Sequence, residues 1–239
     1  MTVRGPVLEA RELAKSFGSN TALAGVSFEL APGESLGVIG PNGCGKSTLI
    51  NCLSGVLRPT TGRVQYTGAD VSRWNVRRRT RAGLVRTYQN LRLFPQMSVL
   101  ENVLARVGWQ DLDPMRVIDE LGLTNVQHQT VGSLSYGHQR RTELARALVV
   151  MPRVLLLDEP AAGLDTVERS RLAEVLRGRS EQGVAIALVD HDMSLITSVC
   201  TRVLVLDRGK VVFDGAPRDA LNDTHVIDIY LGQPLKKDS

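Results

Sequence analysis

Nine consecutive residues, Gly40-Pro41-Asn42-Gly43-Cys44-Gly45-Lys46-Ser47-Thr48, satisfy the phosphate-loop spacing G-x-x-x-x-G-K-[ST]. A loop that wraps phosphates turns backbone N–H groups inward, and its glycines permit the positive φ and the close approach that a Cβ would block. The strand-like run Leu36-Gly37-Val38-Ile39 precedes the loop and a helix-like stretch, 46–53, follows it. A bound anion would therefore meet a helix N-terminus, where free amides and the helix dipole favour negative charge. Lys46 would reach the β/γ-phosphates of a nucleoside triphosphate, and Ser47 offers Mg²⁺ a hydroxyl oxygen.

In open parallel sheets ligands bind beyond the carboxyl ends of strands, so polar residues that directly follow apolar runs have a chemical reading. After 154–157 come Asp158, a candidate Mg²⁺ ligand, and Glu159, a candidate general base toward water. After 184–189 and Asp190 comes His191, a hydrogen-bonder of either charge state beside a γ-phosphate. Gln89, after Leu84-Val85-Arg86-Thr87-Tyr88, can meet metal or water without adding charge. Singly, a strand-end carboxylate pair, a surface histidine and a loop glutamine each have an ordinary structural reading. Together with a phosphate loop they describe a nucleotide-hydrolysing site.

These groups need a sheet to hold them. Val26, Phe28 and Leu30 alternate with polar or small neighbours, as do Val64 and Tyr66, which predicts half-buried strands in a small β-layer. Phe17 is read in a loop ahead of those strands, either stacking on a base or packing in a core. Residues 73–81 hold five arginines in nine positions, a solvated helix face or a contact for a partner's acidic surface or anionic head groups. From 91 to 151 the pattern turns helical, with Leu100, Val103, Leu104 and Val107, and then Leu144, Ala147, Leu148 and Met151, at i, i+3, i+4, i+7. Pro152 closes that stretch. The continuous apolar runs 154–157 and 184–189 predict strands buried on both faces of a parallel sheet. Two further strands, 203–206 and 211–213, flank Asp207-Arg208-Gly209-Lys210, a hairpin connection.

With 239 residues, 43% apolar and 23% charged, the chain has ordinary globular composition, and disorder is excluded. A net charge of +4 suits a nucleotide, lipid head groups or nucleic acid alike. Cys44, Cys52 and Cys200 form an odd, scattered set without metal spacing, which fits small apolar residues in a reducing cytosol. No run approaches the roughly 18 apolar residues of a membrane span, and residues 1–11 lack the apolar centre of a signal peptide.

Leu134-Ser135-Tyr136-Gly137-His138-Gln139 adds the piece that makes a family resemblance specific. The sequence resembles the ATP-binding-cassette (ABC) ATPases over nearly its whole length. Phe17 matches their base-stacking aromatic, Gly40 to Thr48 the Walker A loop and Gln89 the Q-loop. Ser135 to Gln139 match the signature, 154–159 Walker B, Ala162-Gly163-Leu164-Asp165 the D-loop, and His191 the switch histidine. The strings Arg86-Thr87-Tyr88-Gln89-Asn90-Leu91-Arg92-Leu93-Phe94 and Asp158-Glu159-Pro160-Ala161-Ala162-Gly163-Leu164 look like ATPase subunits of branched-chain amino acid importers, with urea and amide importers similar. His138 stands where these proteins usually carry Gln.

The resemblance implies an α/β fold of the P-loop NTPase (RecA-like) type, a parallel-sheet core with an N-terminal antiparallel β-layer and an inserted all-helical subdomain. One nucleotide-binding domain would span 1–239, its core 1–90 and 152–239 and its helical part 91–151. It implies ATP and Mg²⁺ as ligands. Glu159, His191, Gln89 and Lys46 would serve hydrolysis. Phe17, Gly40, Pro41, Asn42, Gly43, Cys44, Gly45, Lys46, Ser47, Thr48, Gln89 and His191 would contact nucleotide, joined across a dimer by Ser135, Gly137 and Asp165. Ser47, Gln89 and Asp158 would face the metal. Implied partners are a second ATPase subunit, the permease subunits of an importer and, indirectly, an extracytoplasmic solute-binding protein, at the cytoplasmic face of the membrane and without nucleic acid. The alternative within the family is a soluble ATPase acting on DNA or ribosomes.

Overall fold

The computed structural model describes residues 5–88, 91–105 and 113–231. A six-stranded sheet forms its centre, in the order β10-β9-β3-β8-β7-β6. Its strands are β3 (Ser35–Ile39), β6 (Leu84–Arg86), β7 (Val154–Asp158), β8 (Ala185–Val189), β9 (Arg202–Asp207) and β10 (Lys210–Gly215). All neighbours pair in parallel except β10, which returns antiparallel to β9 through the hairpin at Arg208-Gly209, both with positive φ.

The apolar runs are continuous because alternate residues feed two separate cores. Leu155, Leu157, Ile186, Leu188, Val203 and Val205 pack toward the helices of one face, in company with Leu144, Leu148, Leu172 and Ile196. Val154, Leu156, Ala187, Val189, Leu204 and Leu206 point the other way, onto α1 (Lys46–Ser54) and a second sheet. That second sheet is the antiparallel β-layer, β2-β1-β4-β5, from β1 (Leu8–Phe17), β2 (Asn20–Leu30), β4 (Thr61–Tyr66) and β5 (Ala69–Asp70). The sequence reading placed Phe17 in a loop. It is the last residue of β1, paired with Asn20, because β1 carries enough polar residues to hide its alternation.

Between 91 and 151 the described residues form α3 (Val99–Leu104), α4 (Pro114–Glu120), α5 (Tyr136–Leu148) and two short 3₁₀ turns. The buried face of α3 is Val99 and Val103, with Leu104 exposed, so the expected stripe is rotated; Val107 lies outside the described residues. A capping box between Ser98 and Glu101 sets the start of α3. Met151 is exposed with φ 46°, one turn past the end of α5, so the expected stripe ends at Leu148. After β7 come α6 (Thr166–Glu181), α7 (Met193–Val199), α8 (Pro217–Asn222) and α9 (Thr224–Leu231). No helix among the described residues is long and apolar enough to cross a membrane.

The arginine-rich stretch builds α2 (Val76–Arg81), capped by the Asn75 side chain. Arg77 and Arg78 are exposed, but Arg79 is fully buried and donates to the carbonyls of Cys52, Leu53, Val71 and Trp74. It therefore closes the C-terminal end of α1, where free carbonyls and the negative end of the helix dipole favour a cation. Cys44, Cys52 and Cys200 are free and buried, in line with their reading as small apolar residues.

Candidate functional site

Register brings the candidate groups to one sheet edge. Val38 and Asp158 both pair with Val189, and Arg86 pairs with Leu156, so the residues after Ile39, Arg86, Asp158 and Val189 all emerge at the carboxyl ends of adjacent parallel strands.

The phosphate loop leaves β3 at Gly40 and enters α1 through Gly45, its N-cap, with φ 113°. The two glycines are fixed by space as well as by φ. A Cβ at Gly40 would run into the Leu206 carbonyl, and one at Gly45 would stand 2.5 Å from the Ala22 carbonyl of β2. The β-layer and β9 thus press the loop from outside, and Asn42, Gly43 and Ser47 stay exposed. Lys46 Nζ donates to the carbonyls of Gly40 at 2.7 Å and Pro41 at 2.9 Å, which holds the ammonium over the loop. Burial raises the Cys44 thiol, against the pull of Lys46.

Asp158 is 2% exposed. Its Oδ2 accepts from Arg86 Nη2 at 3.0 Å, and Arg86 Nη1 continues to Asn51 Oδ1 at 2.5 Å and Ser54 Oγ at 3.1 Å on α1. Burial raises the Asp158 carboxyl while Arg86 pulls it back toward the charged form. Arg86 was not singled out in the sequence, yet it ties β6, β7 and α1 into one charged cluster at the mouth of the site.

Glu159 follows in the left-handed region, φ 48°, unusual for a residue with a side chain. Its N–H donates to Val189 O at 2.8 Å, and its carbonyl accepts from Ala162 N at 3.2 Å and Arg140 Nη2 at 2.7 Å. His191 is largely exposed, its Nδ1 3.9 Å from Glu159 Oε1 and 3.8 Å from Asp190 Oδ1. Burial raises the Asp190 carboxyl, and its Oδ1 takes the Asp192 N–H at 2.9 Å. Gln89 lies outside the described residues. Phe17 is 48% exposed, with Lys15 Nζ 5.0 Å from its ring centre, an accessible aromatic surface at the tip of the β1–β2 hairpin.

Ser135 caps α5, its hydroxyl 2.7 Å from His138 Nδ1. Burial, with the nearby Arg141 cation, lowers the His138 pKa against the opposing pull of Glu168. Within the chain this end of α5 adjoins the turn after β7. Gly163 has no room for a Cβ beside the Tyr136 ring, Gly137 none beside the Glu168 carboxylate, and Arg141 Nη2 pairs with Glu168 at 3.0 Å. Asp165 caps α6 through a reciprocal pair with Glu168.

The second residue missed in the sequence is Arg140, 4% exposed and paired with Glu143 at 2.5 Å. A signal was present, because Arg140 lies four residues before Leu144, on the stripe that continues through Ala147 and Leu148.

A family model described as ABC transporter matches residues 23–162. The chain is 35% identical to the high-affinity branched-chain amino acid transport ATP-binding protein BraF of Pseudomonas aeruginosa, covering 95% of this chain and 98% of that protein. It is 34% identical to LivG of Escherichia coli, of the same description, over the same shares, and 34% identical to the lipopolysaccharide export system ATP-binding protein LptB of Acidithiobacillus ferridurans over 96% and 98%. A nucleotide-free ATP-binding cassette from an ABC transporter superposes with TM-score 0.86 at 26% identity, covering 95% of this chain and all of that one. A cassette in its ADP conformation gives 0.85 at 26%, over 95% and 99%.

Proposed function

As the chain belongs to the ABC transporter family, we propose that it is the ATP-binding and ATP-hydrolysing subunit of an importer for branched-chain amino acids or a related small solute. The observation that carries this reading is the shared sheet edge, where the Lys46 loop, Asp158, Glu159 and His191 converge. BraF and LivG support the solute class. LptB, at nearly the same identity, serves export in its own system, and the import reading rests on the local strings around Gln89 and Pro160 as well.

In this reading the loop amides and Lys46 bind the β/γ-phosphates of ATP, and Phe17 stacks on the base. Water attacks the γ-phosphorus, the bond to the bridging oxygen breaks with its electron pair leaving on ADP, and Glu159 takes the water's proton. His191 hydrogen-bonds the γ-phosphate from the neighbouring strand end. Ser47 and Asp158 are the oxygen donors that would hold Mg²⁺, and a carboxylate oxygen together with a hydroxyl suits a hard cation. Bound there, Mg²⁺ would neutralise charge building on the phosphates. Gln89 is assigned contact with metal or water from the sequence alone.

The exposed Ser135, with Gly137 at the N-terminus of α5 and Asp165 at that of α6, serves a second chain packed head to tail, identical or not. Residues 1–90 and 152–239 then act as the core and 91–151 as the helical part of one cassette, held on permease subunits at the cytoplasmic face. Glu159→Gln tests the reading. It keeps shape and binding but removes the base, worth roughly 10²–10⁴ in rate. Turnover should nearly stop and a dimer should accumulate with ATP, and not with ADP, on size-exclusion chromatography. A monomer at saturating ATP, or wild-type turnover, would sink it.

A further inference from the structure

The guanidinium of Arg140 uses every one of its N–H groups. Nε donates to Pro160 O at 3.2 Å, Nη1 to Tyr88 O at 2.7 Å and Glu143 Oε2 at 2.5 Å, and Nη2 to Asp158 O at 2.9 Å and Glu159 O at 2.7 Å. One side chain on α5 thereby grips three successive carbonyls at the end of β7 and the Tyr88 carbonyl two residues beyond β6. Glu143 completes the grip, because its Oε1 accepts the Tyr88 N–H at 3.2 Å. The Tyr88 peptide is held at both ends by one buried ion pair.

Stability alone does not account for the pair. Both side chains are withdrawn from water, 4% and 8% exposed, and replacing a buried ion pair by apolar groups of similar volume is often neutral or stabilising. What the pair supplies is geometry. Glu159 sits at φ 48°, a strained conformation that persists only where the surroundings over-determine it. Val189 holds its N–H, while Arg140 and Ala162 hold its carbonyl. Of these holders, Arg140 is the one that belongs to α5, whose first turn carries Ser135 and Gly137.

We propose that Arg140 is a positioning residue for hydrolysis: it fixes the backbone of Glu159, and so the aim of its carboxylate, and makes that backbone move as one body with the N-terminal turn of α5. The inference rests on Glu159 being the base. A lysine cannot take over, since three donors on one nitrogen cannot reach the arc of carbonyls that the planar fork spans.

The test compares Arg140→Met, Arg140→Lys and Glu143→Gln with wild type in the full chain, reading ATP affinity by equilibrium titration, kcat from steady-state turnover, and ATP-driven dimerisation of each variant in the Glu159→Gln background. A displaced reacting group of about 1 Å costs up to 10²-fold, so kcat should fall roughly 10–100-fold in both Arg140 variants, and less in Glu143→Gln, where four of the five donations remain. ATP affinity should stay within about twofold, and the dimer should still form. Wild-type kcat in Arg140→Met, recovery in Arg140→Lys, or affinity falling in step with kcat would each overturn the proposal. If Arg140→Met does not fold, Arg140→Lys and Glu143→Gln carry the same measurements. Failure of the base assignment would show separately, as wild-type turnover in Glu159→Gln alone.

Discussion

Arg79→Met removes the guanidinium from beneath α1 while keeping most of the side chain's volume. In the wild type Nη1 donates to Cys52 O at 2.8 Å and Leu53 O at 2.5 Å, Nη2 to Val71 O at 2.6 Å and Nε to Trp74 O at 3.2 Å. Cys52 O also accepts from Gly55 N, and Val71 O from Trp74 N, so those two carbonyls keep a donor. The Leu53 and Trp74 carbonyls have no other donor among the described residues. Stranding the buried Leu53 acceptor costs about 1–3 kcal/mol, and the half-buried Trp74 carbonyl adds less because water can reach it. The opposing contribution is desolvation. Burial pulls the Arg79 pKa down to about 10, so the group remains charged at neutral pH at some cost, which the variant recovers. The balance is a loss of about 1–3 kcal/mol, which lowers Tm by roughly 2–12 °C in a chain of this size. Differential scanning calorimetry or urea unfolding reads it directly. A Tm within 2 °C of wild type would refute the assignment of Arg79 as the closure of α1.

Reversing the exposed neighbours instead, as Arg77→Glu and Arg78→Glu together, should change unfolding by no more than about 0.5 kcal/mol per site and reduce sedimentation with vesicles of anionic phospholipid at low salt; unchanged sedimentation would count against a membrane role for α2. His138 should make stability fall on acidification. Its folded pKa lies below the unfolded value of about 6.5, so the unfolded chain takes up the proton first and stability drains away as pH falls through 6.5 toward the folded pKa. Unfolding midpoints of wild type and His138→Gln should therefore diverge between pH 7.5 and pH 5, wild type losing more, and parallel curves would reject it.

The parts of the site legible in the sequence are those where chemistry dictates residue type locally. A phosphate loop needs glycine where β2 and β9 press on it, and a carboxylate after an apolar run needs only the strand's length to be placed. The parallel sheet followed from the same local patterns, since the runs around Leu155 and Ile186 are buried on both sides, while the fuller fold class came from the family resemblance. The groups that went unread, Arg79, Arg86 and Arg140, share one cause. Each is a cation whose acceptors include carbonyls, or a carboxylate, brought in from segments 18 to 72 residues away. Periodicity cannot see acceptors that only the finished fold assembles, even where, as at Arg140, it sets the residue on a buried stripe.

That shared cause also bears on how the site is held. α1 carries the phosphate loop at its N-terminus, is anchored by Arg79 at its C-terminus, and is tied by Arg86 through Asn51 and Ser54 to the Asp158 carboxylate. Glu159, one residue on, is tied by Arg140 to α5. Phosphate loop, acidic pair and signature turn are therefore linked by guanidinium groups, whose directional donors fix angles that apolar packing between the same helices would leave free to slide. Neutralising Arg86 should accordingly harm the site differently from losing Arg140. Asp158 would be left buried without its counter-ion, which costs stability as well as rate.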